Sequence, residues 1–345
     1  MSDPAVIDPI RVALPSKGHL YEGIVAVLKT AGYKVRRASE RQYEATIAGH
    51  PRFHVVFMRP ADIVVQVQEG RCHLGVTGFD VYAERAGEAE QARVVIEDLG
   101  YADCRLAVAV PESWIDATHI VDLVDLAAEF KANGRSFRVS TKYPALTRAH
   151  FRRWGIHDFQ VIDSEGALEL HPSLGIADVI VDLTSSGTTL KDNRLREIRG
   201  GTVLESAACL IGHAPSLAAL VAEGEDGPLA LLLDAIDGVR DSEGLLHLEV
   251  VGGPAGAGAD AGSAAAVAAY LRDSGAQHVA RGEVWDDRDA PGWRVTALAS
   301  AKAIAGLRRR LLALGASRVV GLPPRFVFDR DAPSTFDRLG RGGEK

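Results

Sequence analysis

Short runs rich in Val and Ile alternate with stretches of helical period along most of this chain, and no other feature restricts its fold as much. "RVALP" (11–15) reads as a strand and "YEGIVAVLKTAG" (21–32) as a helix that closes on a glycine. "FHVVFM" (53–58) and "LGVTG" (74–78) read as strands around a helix starting near Ala61. "CRLAVAVPE" (104–112) is a strand that opens a second group. There "FRVST" (137–141), "FQVID" (159–163) and "VIVDL" (179–183) alternate with helices near 145–155 and 166–173. "TVLESAACLIG" (202–212) reads as one further buried strand. This alternation predicts layered α/β structure with mostly parallel sheets.

The pattern changes after about Pro215. "LLHLEVVGG" (245–253) reads as a strand, and the Gly/Ala-rich "PAGAGADAGS" after it as a turn or loose loop. A helix at about 263–274, strands near 279–285 and 293–298, a helix at 300–314 and a strand at 318–322 complete it. The order βαββαβ predicts a ferredoxin-like module. The tail "DRDAPSTFDRLGRGGEK" is polar and is expected to be loosely held.

"GIADVIVDLTSSGTTL" (175–190) carries the chemistry. Asp178 and Asp182 flank an apolar run four residues apart, so period two puts them on one face of a strand. Thr184, Ser185, Ser186, Gly187, Thr188 and Thr189 follow. Ligands of open α/β sheets sit beyond the carboxyl ends of strands, where free amides and the helix dipole favour an anion. Hydroxyls add donors, and a glycine lets the backbone approach closely. The stretch therefore fits a monophosphate cradle, with Asp182 placed to accept from sugar hydroxyls. Simple capping of a helix by Ser and Thr is the alternative.

Bulk composition narrows the class. A length of 345 residues suggests two or three domains, and 47% hydrophobic residues supply an ample core. A net charge of −7 argues against a broad nucleic-acid footprint but leaves small anionic substrates open. Cys72, Cys104 and Cys209 are far apart with no C-x-x-C pair, which argues against a disulfide framework or a structural zinc site. "MSDPAVIDPI" has no basic region or long apolar stretch of a secretory leader, and no run approaches a membrane span. A soluble cytoplasmic protein with no nucleic-acid or membrane partner is expected.

"GIADVIVDLTSSGTTLKDNRLREI" resembles the phosphoribosyl-pyrophosphate (PRPP) motif of the ATP phosphoribosyltransferases, which open histidine biosynthesis. The resemblance continues in order through "LPSKGHLYEGIVAVLKTAGY" (14–33), "RPADI" (59–63), "LGVTGFD" (74–80), "DCRLAVAVP" (103–111), "VSTKYPALTRAHF" (139–151), "EGALELHPSLG" (165–175) and "VLESAACLI" (203–211). "WRVTALASAKAIAGLRRRLLALGASRVVGLPPRFVF" (293–328) resembles the end of the regulatory module of the family's long form, whereas 214–292 matches weakly.

This resemblance implies an α/β fold with a two-lobed, periplasmic-binding-protein-like catalytic region and a C-terminal ferredoxin-like regulatory domain. Residues 1–106 with 204–216 would form lobe I, 107–203 lobe II with the PRPP loop, 225–330 the regulatory domain and 331–345 the tail. It implies attack of ATP N1 on C1 of PRPP, with Mg²⁺ on the pyrophosphate, L-histidine as feedback inhibitor, and a dimer or hexamer.

Ser185, Ser186, Gly187, Thr188 and Thr189 would hold the 5-phosphate. Asp178 and Asp182 would address the ribose hydroxyls, or Mg²⁺ through water, and Glu169 matches the family's acidic position ahead of the loop. Lys17, Gly18, His19, Arg41, Arg59 and Tyr143 would serve ATP and pyrophosphate, with Lys17 and Arg41 catalytic. Surface ion pairs remain the alternative for Arg41 and Arg59, a solvated glutamate for Glu169, and packing for Tyr143. Lys142 reads as a solvated charge and Asp80 as a helix cap. Ala299 and Ser300, in the loop "TALASAK" (296–302), would receive the inhibitor's carboxylate. Many family members have arginine where this chain has His19, so a permanent cation gives way to a group whose charge depends on pH.

A small-anion binding protein, a regulatory paralogue and a phosphoribosyltransferase with another acceptor remain as rivals. "GGPAGAGADAGS" (252–263) lacks the G-K-[ST] ending of a P-loop and reads as a turn. His50 and His54 lie where the pattern reads as turn and strand, which does not suit a metal pair.

Overall fold

Strand β1 (Ile10–Pro15) buries every residue except Arg11, the pattern of a strand covered on both faces. After it come α1 (His19–Thr30), β2 (Val35–Arg36), β3 (Glu44–Ile47), β4 (His50–Met58), α2 (Pro60–Gln68), β5 (Leu74–Gly78), α3 (Phe79–Arg85) and β6 (Ala92–Ile96). A second run holds β7 (Cys104–Pro111), α4 (Asp122–Ala132), β8 (Phe137–Thr141), α5 (Pro144–Arg153), β9 (Phe159–Asp163), β10 (Val179–Thr184), α6 (Thr188–Asp192) and β11 (Leu195–Ser206). Then follow β12 (Ala208–His213), α7 (Ala214–Val221) and α8 (Pro228–Asp241). The computed structural model describes residues 9–39, 41–85, 91–164, 166–252, 261–285, 291–328 and 333–340. Two compact units divide the chain: Met1–Leu231 with Thr335–Lys345, and Leu232–Ser334.

The first unit holds two sheets. One has seven strands in the order β2-β3-β4-β1-β5-β12-β6, the other five in the order β11-β7-β10-β8-β9. In the first, β1 runs parallel to β4 and β5, while the outer pairings are antiparallel. In the second, β8 runs parallel to β9 and β10, while β7 is antiparallel to β10 and β11. The sheets are thus mixed α/β sheets, not mostly parallel ones. β7 and β12, which follow chain crossings from one sheet to the other, enter their sheets antiparallel. Phe137, Val139, Phe151 and Val181 centre the core of the five-stranded sheet, and Ile63, Val64, Val67 and Ile211 that of the larger one.

"TVLESAACLIG" is two strands in two sheets. Ser206, the last residue of β11, pairs with Cys104, and Ala208, the first of β12, pairs with Gly78. Between them the Ala207 carbonyl accepts the Phe79 amide at 2.9 Å. The helix expected over 166–173 is reduced to one 3₁₀ turn, Leu168–Leu170, because Ala167 before it is left-handed at φ 49°.

The second unit holds β13 (Leu245–Gly252), α9 (Ala261–Asp273), β14 (Gln277–Trp285), β15 (Pro291–Ser300), α10 (Ile304–Ala313) and β16 (Ala316–Leu322). Its four strands are antiparallel in the order β14-β15-β13-β16, over a core that includes Leu248, Val250, Val267, Leu271, Val295 and Leu311. Most of the Gly/Ala-rich turn, residues 253–260, lies outside the described residues. "TALAS" is strand rather than loop, since β15 pairs with β13 as far as Ser300.

The tail departs from expectation. α11 (Thr335–Gly340) belongs to the first unit, where it packs on α7 and β6. Thr335 and Phe336 are buried, so an apolar contact inside a polar segment anchors it. Phe336→Ala is expected to lower the stability of the first unit by about 3 kcal/mol. An unchanged urea midpoint would show that the tail is not anchored there.

Candidate active site

The parallel strands of the larger sheet bring their carboxyl ends to one edge. Pro15 of β1 pairs with Met58 of β4, and the Ser16 amide donates to the Met58 carbonyl at 3.0 Å. Lys17 and Arg59 therefore leave neighbouring strands at the same level, both exposed. Gly18, the residue before α1, has φ 79°, a conformation that favours glycine over residues with a side chain. No side chain caps α1, so its first amides have no capping acceptor. His19 starts that helix, its ring edge-on to Tyr101 with centroids 6.4 Å apart. Arg41 is exposed in the β2–β3 loop. The Phe57 amide donates to the Tyr43 carbonyl at 2.8 Å, which brings that loop to the same edge.

The hydroxyl-rich loop lies at the carboxyl end of β10. Gly187, at φ 73°, precedes α6, and its amide donates to Thr184 Oγ1 at 3.1 Å. Ser186 Oγ and Thr188 Oγ1 are 2.9 Å apart, and no side-chain hydrogen bond caps α6 at Gly187. Ser185, Ser186, Thr188 and Thr189 thus crowd one turn, with more hydroxyls than a cap uses. Arg105, the second residue of β7, braces the turn. It forms a two-pronged pair with Glu197 of β11 at 2.8 and 2.7 Å and donates to the Ser185 carbonyl at 3.3 Å.

Asp182 lies one turn of strand back from the loop. Burial pushes its carboxyl above the usual range; the Leu183 amide and the Lys142 charge oppose this, and Glu169 adds to it. Lys142 and Glu169 thus both lie within electrostatic reach of Asp182. Asp178 does not join them. It precedes β10, at the end of the strand away from the loop, and is buried against Arg138, which donates its amide at 2.8 Å and its guanidinium at 3.1 Å. The period-two argument gave the shared face but ignored strand length, about 13 Å over four residues. A concavity of about 1300 Å³ opens at that far end, lined by Trp114, Phe130 and Arg138, away from the loop.

The two sheets meet beside Ala207. Asp80 of α3 is buried; its Oδ1 accepts Ser206 Oγ at 2.8 Å and its Oδ2 accepts the Tyr143 hydroxyl at 2.6 Å. The expected cap role of Asp80 belongs instead to Ser206, whose Oγ accepts the Asp80 amide at 2.9 Å. Tyr143 is buried in this contact, not open to a nucleobase, and burial together with Asp80 pushes its phenol far above the usual range. A cavity of about 370 Å³ at the Ala207 junction is lined by Phe79, Arg105 and Ser185 together with the carboxylates of Glu97, Asp98, Asp103 and Glu205.

A family model described as HisG, ATP phosphoribosyltransferase, matches residues 59–226. The chain is 40% identical to an ATP phosphoribosyltransferase of Brucella anthropi over 205 residues, which cover 59% of this chain and 89% of that one. It is 39% identical to one of a Bradyrhizobium species over 205 residues, 59% of this chain and 63% of that one. The chain belongs to the ATP phosphoribosyltransferase family. A solved ATP phosphoribosyl transferase (HisG:HisZ) complex from Thermotoga maritima aligns at 23% identity and TM-score 0.47 over 66% of this chain and 98% of that one.

ATP phosphoribosyltransferases are pentosyltransferases that catalyse the first step of histidine biosynthesis. In this member the sequence reading missed Arg105, Glu197, Ser206 and Glu84. The arginine in the otherwise apolar "CRLAVAVP" was a visible signal for the first. The others depend on pairing across 61 to 126 positions of chain: Glu84 with the Ala145 amide, Glu197 with Arg105 and Ser206 with Asp80.

The raised carboxyl of Asp182 has a consequence for stability. The native state holds this proton to higher pH than the unfolded chain does. Stability is therefore lost as pH rises from the ordinary carboxylate range through the raised value. Asp182→Asn should melt higher than the parent at pH 7 and lose that advantage as pH falls into the carboxylate range. Equal melting temperatures at pH 7 would contradict the buried charge.

Proposed function

We propose that this site joins N1 of the ATP adenine to C1 of PRPP and releases pyrophosphate, giving N1-(5-phosphoribosyl)-ATP. One observation carries the reading beyond family membership: Ser185, Ser186, Thr188 and Thr189 crowd one turn at the carboxyl end of β10, where Gly187 at φ 73° precedes an α6 that no side chain caps. On this reading the exposed Lys17, Arg41 and Arg59 stand at the larger sheet's edge, opposite a sugar-phosphate cradle.

As the N1–C1 bond forms, the C1–O bond to pyrophosphate breaks, with inversion at C1. Positive charge spreads over the ribose ring and negative charge builds on the leaving group. Ser185, Ser186, Thr188 and Thr189 donate to the 5-phosphate, and Gly187 gives its oxygens close access to the backbone. Asp182 accepts from the ribose hydroxyls. Lys17 and the guanidiniums of Arg41 and Arg59 receive the pyrophosphate charge. No side-chain nucleophile is needed; positioning and charge stabilisation supply the catalysis.

Mg²⁺ fits this donor set. Asp182 takes one amide on Oδ1, Glu169 lies within its electrostatic reach, and an ion carried by phosphate oxygens needs only one or two protein carboxylates. When bound, Mg²⁺ neutralises charge on the departing pyrophosphate.

Further parts of the reading follow the family. The catalytic unit is a two-lobed, periplasmic-binding-protein-like body whose lobes are discontinuous, consistent with the Ala207 crossing. The order β14-β15-β13-β16 supports a ferredoxin-like regulatory domain. The protein acts in the cytoplasm as a dimer or hexamer, and L-histidine inhibits it through Ala299 and Ser300. Ala299 is buried on β15, whereas Ser300 is exposed and accepts the Lys302 amide at 3.3 Å. The deciding assay supplies ATP, PRPP and Mg²⁺ and follows product absorbance against other nucleotide acceptors; a better acceptor than ATP would overturn the assignment.

Ser186→Ala with Thr189→Ala should weaken PRPP binding. Each lost hydrogen bond to a charged group costs about 1.5–3 kcal/mol, roughly ten- to a hundredfold per site. Unchanged affinity by calorimetry would remove the cradle. L-histidine should bind the intact chain in calorimetry whether or not PRPP is saturating. Mutual exclusion with PRPP would move it to the catalytic cleft, and no binding would end the regulatory reading.

A further inference from the structure

Two carboxylates on α3 reach from the larger sheet to the smaller one. Asp80 and Glu84 lie four residues apart, so they share a face of that helix. Asp80 takes the Tyr143 hydroxyl at 2.6 Å and Ser206 Oγ at 2.8 Å. Glu84 takes the Ala145 amide at 2.7 Å and the Leu146 amide at 2.9 Å. Those are among the first amides of α5, which Tyr143 at the cap position leaves without a side-chain acceptor.

We propose that Asp80 and Glu84 are positioning residues that latch the 142–146 turn to α3 and so fix the spacing between the two halves of the substrate site. The inference rests on the phosphoribosyl-transfer reading above. The latched turn carries Lys142, whose charge acts on Asp182. α3 directly follows β5, which runs parallel beside β1, the strand that leads to Lys17. The latch therefore spans the cation-bearing edge and the hydroxyl-bearing edge. Among the described residues no cation pairs with Asp80, so its carboxylate is held by hydroxyls alone. Packing alone does not call for a charge in such a place. Charge-assisted hydrogen bonds fix direction as well as distance. Ser206 is also the last residue before the crossing, so one carboxylate ties α3, the 142–146 turn and the β11–β12 junction together.

The reaction joins two bound substrates, and an offset on the order of 1 Å between them can cost about a hundredfold in rate. Loss of the latch should leave each half-site intact but misalign them. The test uses the full chain with Tyr143→Phe, Glu84→Ala, Glu84→Gln and Asp80→Asn, assayed well below their melting temperatures. Tyr143→Phe and Glu84→Ala should lower kcat roughly ten- to a hundredfold, with KM for ATP and for PRPP each within about threefold. Glu84→Gln and Asp80→Asn each keep one of the two acceptor oxygens and lose the charge, so their turnover should fall part of the way, between the parent and Glu84→Ala.

Amide hydrogen exchange without substrates gives a separate readout: Glu84→Ala should speed exchange at Ala145 and Leu146. Lower melting temperatures with kcat unchanged would reduce the latch to packing. A rise confined to KM would make these residues substrate contacts instead. If the parent protein turns over no acceptor, the reaction reading falls by itself. Unchanged protection at Ala145 and Leu146 in Glu84→Ala would then overturn the latch.

Discussion

The hydrogen bond from the Phe79 amide to the Ala207 carbonyl, 2.9 Å long, joins the two sheets at the point where the chain passes between them. β11 ends at Ser206 beside Cys104, and β12 begins at Ala208 beside Gly78. The end of β5 and the start of β7 are thereby held next to each other. The carboxyl ends of β1, β4 and β5 open at that junction, as do those of β8 and β10 through their pairing with one another and with β7. Each cationic or hydroxyl-bearing segment assigned to the substrates follows one of these strand ends, except the β2–β3 loop, which the Tyr43 carbonyl ties to β4. A single residue between two strands thus sets which strand ends lie side by side.

The polar groups at this junction differ in what they contribute. The Arg105–Glu197 pair is about a third exposed on the arginine side, with relative accessibilities of 32% and 26%, so its net effect on stability is small. Its value is geometric, because the fork is fixed by two bonds and a third reaches the Ser185 carbonyl. Asp80 and Asp182 are different. Asp80 is buried and Asp182 half-buried, and among the described residues neither forms an ion pair, so each carboxylate is held by hydrogen bonds from neutral donors.

Legibility in the sequence followed the range of the interaction. Strands such as "FRVST", "FQVID" and "LGVTG" were read at their observed bounds because side-chain period is a local property. The break at Ala207 was not, since Ser206 and Ala208 sit in an apolar run with no turn residue, and only distant partners separate the two strands. The turn at 184–189 was legible because hydroxyls and a glycine are local chemistry. Asp178 was misassigned because its partner, Arg138, stands forty residues away on a neighbouring strand. Tyr143 was assigned to ATP, with packing as the alternative, and its burial was not legible because its acceptor, Asp80, lies sixty-three residues away on α3. In the tail the single aromatic Phe336 among charges gave too little signal for an anchored helix.

The anchored tail gives the second unit a second covalent connection to the first. The chain leaves the catalytic unit after Leu231 and returns at Thr335, so the intervening unit is joined to it by two covalent connections. The returning segment packs on β6, and β6 pairs with β12, the strand that starts at the Ala207 junction. The second unit is thus an insertion within the first, entered after Leu231 and left before Thr335. Composition predicts a loosely held tail, yet buried Thr335 and Phe336 hold its returning end on α7 and β6 of the first unit, so an apolar contact of two residues decides where that chain path ends.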